Sequence, residues 1–92
     1  MEDSTIVWTE YMKYRQSLRG YDLEKVEKIL RYSSERYRDA VTVRVVVVGR
    51  HENLIVMIPY EVEGSTLTPV TIHATSRQQI NSRIKSGRLK YE

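Results

Sequence analysis

The stretch VTVRVVVVGRH, residues 41–51, sets the strongest limit on what this chain can become. Side chains branched at Cβ crowd a helix but sit well on a pleated surface, so the run reads as a strand. Alternation puts Val41, Val43, Val45 and Val47 on one face and Thr42, Arg44, Val46 and Val48 on the other. Apolar residues on both faces predict a central strand covered from two sides. The other segments must be arranged around it in one core, because 92 residues are too few for two.

Before that run the spacing is helical. Residues 5–8, TIVW, suit a short edge strand, and Thr9 can cap a helix through EYMKYRQSLRG that stops at Gly20. Trp8, Tyr11, Arg15 and Leu18 share one side of it, expected to face inward. Asp22 caps a second helix with Leu23, Val26, Ile29 and Leu30 at core spacing. After the valine run, GRHEN turns the chain, placing His51 toward solvent, into LIVMIPYEVE. Pro59 has no N–H for a ladder, so that second strand is expected to carry a bulge or an open edge. Gly64–Ser65 suits a hairpin turn into a third strand, TLTPVTIHAT. Thr75 or Ser76 then opens a short helix with Ile80 and Ile84 inward, ended at Gly87. The expected fold is α+β: one domain over 1–92, with two N-terminal helices, a three- to four-stranded antiparallel sheet, a short C-terminal helix and a flexible basic tail at 86–92.

Charge is unevenly placed. Residues 1–40 hold eight acids and eight bases, residues 41–72 a net −1, and residues 73–92 a net +4, so the excess of +3 sits in the last fifth of the chain. That asymmetry fits either a polyanionic partner or a solvated basic tail. The chain has no cysteine, and its two histidines stand far apart, which gives neither a disulfide framework nor a zinc site a start. No stretch approaches the ~20 apolar residues of a membrane span, and MEDSTIVW is unlike a signal peptide. A cytoplasmic protein with no membrane contact and no cofactor is the expectation. Glycine-rich phosphate loops and the serine nucleophile elbow are missing.

Three segments carry a family resemblance. WTEYMKYRQSLRGYDLEKVEKIL resembles the opening of small BrnT-like proteins of the RelE/ParE toxin superfamily: a tryptophan-bearing short strand, a helix ending in Arg-Gly, then a helix with an acidic start. VRVVVVGRHENLIVMIPYEVE and VTIHATSRQQI look like that group's sheet and its closing strand and helix, so the likeness spans roughly residues 6 to 84. It implies a toxin of a type II toxin–antitoxin pair, typically a metal-independent endoribonuclease that cleaves mRNA and is silenced by a small antitoxin protein. Other superfamily members inhibit gyrase, and some are inactive; fold kinship does not choose among these. The chain departs from the pattern at Tyr11, where many relatives have histidine, and at His73, where the last strand often carries arginine.

Cleavage of this kind needs a group to accept the ribose 2′-OH proton, cations for the charged phosphorane and a proton for the leaving 5′-oxygen. His73 is the natural acid/base, since imidazole titrates nearest neutrality; the alternative is a half-buried strand histidine bonded to a neighbour. Arg77, at a helix start that already attracts anions, and Arg50 are the expected phosphate ligands. For Arg77 the competing reading is a sideways ion pair with Glu10 or a sheet carboxylate. Arg44 and Tyr60 support RNA, unless Arg44 pairs across the sheet with Glu61 or Glu63. Arg83, Lys85, Arg88, Lys90 and Tyr91 are the RNA-binding candidates of the basic end, and tyrosine can stack on bases. Lys13, Arg15 and Arg19 read as structural first. The competing function is a non-catalytic RNA- or protein-binding module of the same fold; a third is a homodimer built on a valine-rich edge.

Overall fold

The computed structural model describes residues 3–92; Met1 and Glu2, the start of the short acidic segment, lie outside the described residues. Among the described residues ten elements follow one another: β1 (Thr5–Ile6), α1 (Glu10–Arg19), α2 (Leu23–Tyr32), β2 (Arg36–Asp39), β3 (Val45–His51), β4 (Leu54–Glu63), β5 (Thr66–Pro69), β6 (His73–Thr75), α3 (Arg77–Lys85) and β7 (Leu89–Tyr91). Among the described residues no helix is long and apolar enough to cross a membrane.

Both first helices start and stop where capping chemistry places them. The Thr9 hydroxyl accepts the Met12 N–H at 3.1 Å, and Gly20 closes α1 with φ 72°, a left-handed conformation costly for residues with a Cβ. Asp22 accepts the N–H groups of Glu24 and Lys25 at the head of α2. α2 buries Val26, Ile29 and Leu30 against the sheet, as its spacing requires. It lies so close to β3 that a Cβ on Gly49 would stand 2.6 Å from Ile29 Cγ2. α1 turns differently from expectation. Met12 is its fully buried residue, while Tyr11 and Leu18 are exposed.

The sheet has seven strands in the order β1-β5-β4-β3-β2-β7, with β6 also on β4. It is mixed, because β1 runs parallel to β5 while the other pairs are antiparallel. The expected three- to four-stranded antiparallel sheet is therefore too small, for three local reasons. β2, RYRD, hides its alternation behind charge: Tyr37 and Asp39 are the inward residues. Leu89–Tyr91, within the segment expected to be flexible, pairs with β2 as β7. The third strand is broken into β5 and β6. Between the pairs Tyr60–Pro69 and Met57–His73, β4 advances three residues while its neighbour advances four. The extra residue is a bulge opposite Pro59, so the irregularity foreseen for β4 falls on its partner.

β3 also begins later than the valine run suggests. The Asp39 carboxylate accepts the N–H groups of Val41 (2.8 Å) and Thr42 (3.2 Å), folding residues 40–43 into a turn. Within β3 the expected alternation holds. Val47 packs with α2 and Met12, Val45 borders that cluster, and Val46 and Val48 pack with Ile80 of α3. Helices thus cover both faces of the sheet, α1 and α2 on one and α3 on the other. His51 is buried rather than solvent-facing: its Nε2 accepts the Asp22 N–H at 2.9 Å, tying the start of α2 to the end of β3.

Candidate functional site

Beside α3, the helix leaves part of its face of the sheet uncovered, and a hollow of about 270 Å³ opens there. The bulge brings Thr71 and His73 to one wall; Arg44 at the mouth of β3, Arg83 from α3, Arg88 before β7 and Asp39 at the end of β2 supply the others. Residues distant in sequence meet because β2, β3, β4 and β6 are neighbours in the sheet and α3 lies across them.

Two of the charged groups hold each other. Arg88 grips Asp39 by two hydrogen bonds, Nε to Oδ1 and Nη2 to Oδ2, both 3.2 Å. Burial would push the Asp39 carboxyl up, but Arg88 and the N–H groups of Val41 and Thr42 outweigh it and keep the group below its usual range. Asp39 is thus an ionised anchor, fixing both Arg88 and the turn.

Three other donors have no such partner among the described residues. Arg44 Nε is buried without an acceptor, since Glu61 Oε2 stands 4.0 Å away, beyond hydrogen-bond reach. The Thr71 hydroxyl is likewise buried and without a partner. Arg83 reaches only the Met57 sulfur, a weak acceptor, at 3.7 Å. The Arg44 and Thr71 atoms are sealed from solvent as the side chains stand, and the hollow that these residues line holds three guanidiniums against one carboxylate, a balance that attracts an anion. His73 completes the wall. Its own burial first, then the charges of Arg83, Arg15 and Arg19, push its pKa below the usual 6.5, so the imidazole is neutral at pH 7.

The other sequence candidates lie elsewhere. Arg77 does not join His73; its guanidinium forks onto Glu35, with Nη2–Oε1 at 3.1 Å, and this pairing holds the Glu35 carboxyl below its usual range. The favourable anion at that helix start is the protein's own carboxylate. Arg50 sits in a separate hollow with Lys25, Lys28 and Tyr32. Tyr60 is 1 % exposed; its hydroxyl accepts Arg36 Nη1 at 2.9 Å, which leaves no free face for stacking. Lys85, Lys90 and Tyr91 are exposed and outside the hollow, Tyr91 lying 5.2 Å from the Tyr37 ring. Of the expected set, His73, Arg44, Arg83 and Arg88 come together. Thr71 and Asp39 join them without any mark in the sequence. Arg15 and Arg19, read as structural, act on His73 through charge, a role their spacing on α1 could not disclose.

Among the described residues no group of three His, Asp or Glu side chains is placed to hold a metal ion. Comparison of the chain with protein-family models, with curated proteins and with solved structures finds no match.

Proposed function

We propose that the protein is a BrnT-like, RelE/ParE-type toxin: an endoribonuclease that cleaves RNA without a metal and is silenced by an antitoxin. The observation that carries this reading is the imidazole of His73 in one hollow with Thr71 and the Arg44 and Arg83 guanidiniums, where Arg83 meets a weak acceptor, the Met57 sulfur. A phosphodiester seated there accepts from the Arg44 and Arg83 guanidiniums. His73 takes the proton of the ribose 2′-OH as that oxygen attacks phosphorus, and Arg83 and Arg44 offset the charge on the non-bridging oxygens. The bond from phosphorus to the 5′-oxygen breaks. The imidazolium returns its proton to that oxygen, leaving a 2′,3′-cyclic phosphate, a free 5′-hydroxyl and a neutral His73.

The antitoxin part of the reading rests on the resemblance and on one surface. Tyr11, Tyr14 and Leu18 stand 56 %, 60 % and 62 % exposed at i, i+3 and i+7 along α1. They run beside Arg15 and Arg19, the same cations that act on His73.

Purified protein incubated with RNA in EDTA should yield fragments ending in cyclic phosphate. Replacing His73 with alanine should slow the reaction by about 10²-fold or more. Equal cleavage by wild type and His73→Ala removes the imidazole from the chemistry. Salt-sensitive RNA binding with no fragments under any condition replaces the enzyme by a non-catalytic RNA-binding module.

A further inference from the structure

A second hollow, of about 330 Å³, adjoins the first and shares Thr42 and Arg44 with it. Its origin is a local departure from the sheet. The β3–β4 ladder ends at the pair Val45–Tyr60, yet β4 runs on through Glu61 to Glu63. The chain on the β3 side has left, because Val43 takes φ 60°, a conformation that strains a β-branched residue. Asp39 holds that turn through Val41 and Thr42. The departing turn opens a cleft between itself and β4, with Val43, Val45 and Val62 among its apolar lining. At its edge a carboxylate and a guanidinium stand side by side, Glu61 Oε2 and Arg44 Nε at 4.0 Å.

We infer that this cleft reads the nucleobase on the 5′ side of the phosphate in the first hollow, and that the base is guanine. The inference rests on the RNA reading above and narrows its substrate. Guanine alone among the four bases presents, along one edge, an acceptor (O6) followed by two donors (N1–H and N2–H₂). The donor pair fits the two oxygens of Glu61, and O6 falls to one N–H of the neighbouring Arg44 guanidinium, a side chain 39 % exposed, which leaves its other N–H groups for the phosphate. Adenine offers an amino donor where Arg44 needs an acceptor, and a ring-nitrogen acceptor where Glu61 needs a donor. Cytosine is mismatched in the same two places. Uracil satisfies Arg44 and one carboxylate oxygen, then sets its O2 against the other. Sharing Arg44 places the base contact next to the phosphate contact, as one nucleotide 3′-phosphate requires.

Titration of the protein with 3′-GMP, 3′-AMP, 3′-UMP and inorganic phosphate, followed by amide NMR shifts, tests this without any cleavage. The expected result is 3′-GMP binding at least about tenfold tighter than 3′-AMP or 3′-UMP, with shifts at Thr42, Arg44 and Glu61. Glu61→Gln, at a side chain 63 % exposed, leaves the fold intact and should abolish the preference while inorganic phosphate binds as before. Equal affinity for all three nucleotides, with phosphate also bound, overturns guanine recognition and leaves the anion hollow standing. No binding of phosphate or of any nucleotide overturns both.

Discussion

His73 owes its chemistry to neighbours that its own strand does not supply. Burial and the charges of Arg83, Arg15 and Arg19 lower its pKa, so the folded protein resists protonating it. A group whose folded pKa lies below its unfolded value contributes stability that is complete above pH 6.5 and is lost as pH falls through the folded value. The same shift sets the rate profile. The acid limb of kcat/KM for RNA cleavage is expected below pH 6.5, and Arg83→Ala, which removes the largest charge contribution, should move that limb upward. An acid limb that stays in place in Arg83→Ala separates the guanidinium from the imidazole. That His73 lies on a strand was legible in TLTPVTIHAT; that a bulge makes it the first residue of β6 was not. Its convergence with Arg83 rather than Arg77 was not, because Glu35 precedes a strand too charged to recognise and captures Arg77 first.

Among the elements, the seating of α2 on β3 depends on one missing side chain. Gly49 lets Ile29 rest directly on the strand; a methyl there would collide with both Ile29 Cγ2 and Cγ1, at 2.6 and 2.8 Å. Gly49→Ala is expected to destabilise the fold by about 1–3 kcal/mol, measured by urea unfolding, through overpacking rather than backbone strain. An unchanged midpoint would mean that α2 can lift off β3 without loss. The helices were legible as elements because capping is local: Thr9, Asp22 and Gly20 act within a few residues of themselves. Which side of α1 faces inward was not. That helix touches the core mainly through Met12, and its Tyr11–Tyr14–Leu18 stripe, apolar by composition, is left outside.

At the scale of the molecule, the basic C-terminal segment closes the sheet. Leu89 is 1 % exposed and packs with Tyr37, Val46 and Ile80, while Leu89–Tyr91 pairs with β2. Leu89→Ala should therefore cost about 2–5 kcal/mol of unfolding free energy, as for other buried leucines. A loss near zero would show that the segment is not part of the cooperative unit. Sequence alone determined that this chain builds one α+β core around a two-faced valine strand, where its capped helices begin and end, and that its cations gather toward the C-terminus. Those properties depend on branching, spacing and local hydrogen bonds. Tertiary structure alone decided which cations meet the imidazole, because that follows from strand order, from the extra residue opposite Pro59 and from which acid reaches each arginine first. Each is a competition between groups far apart along the chain, and no local pattern records its outcome.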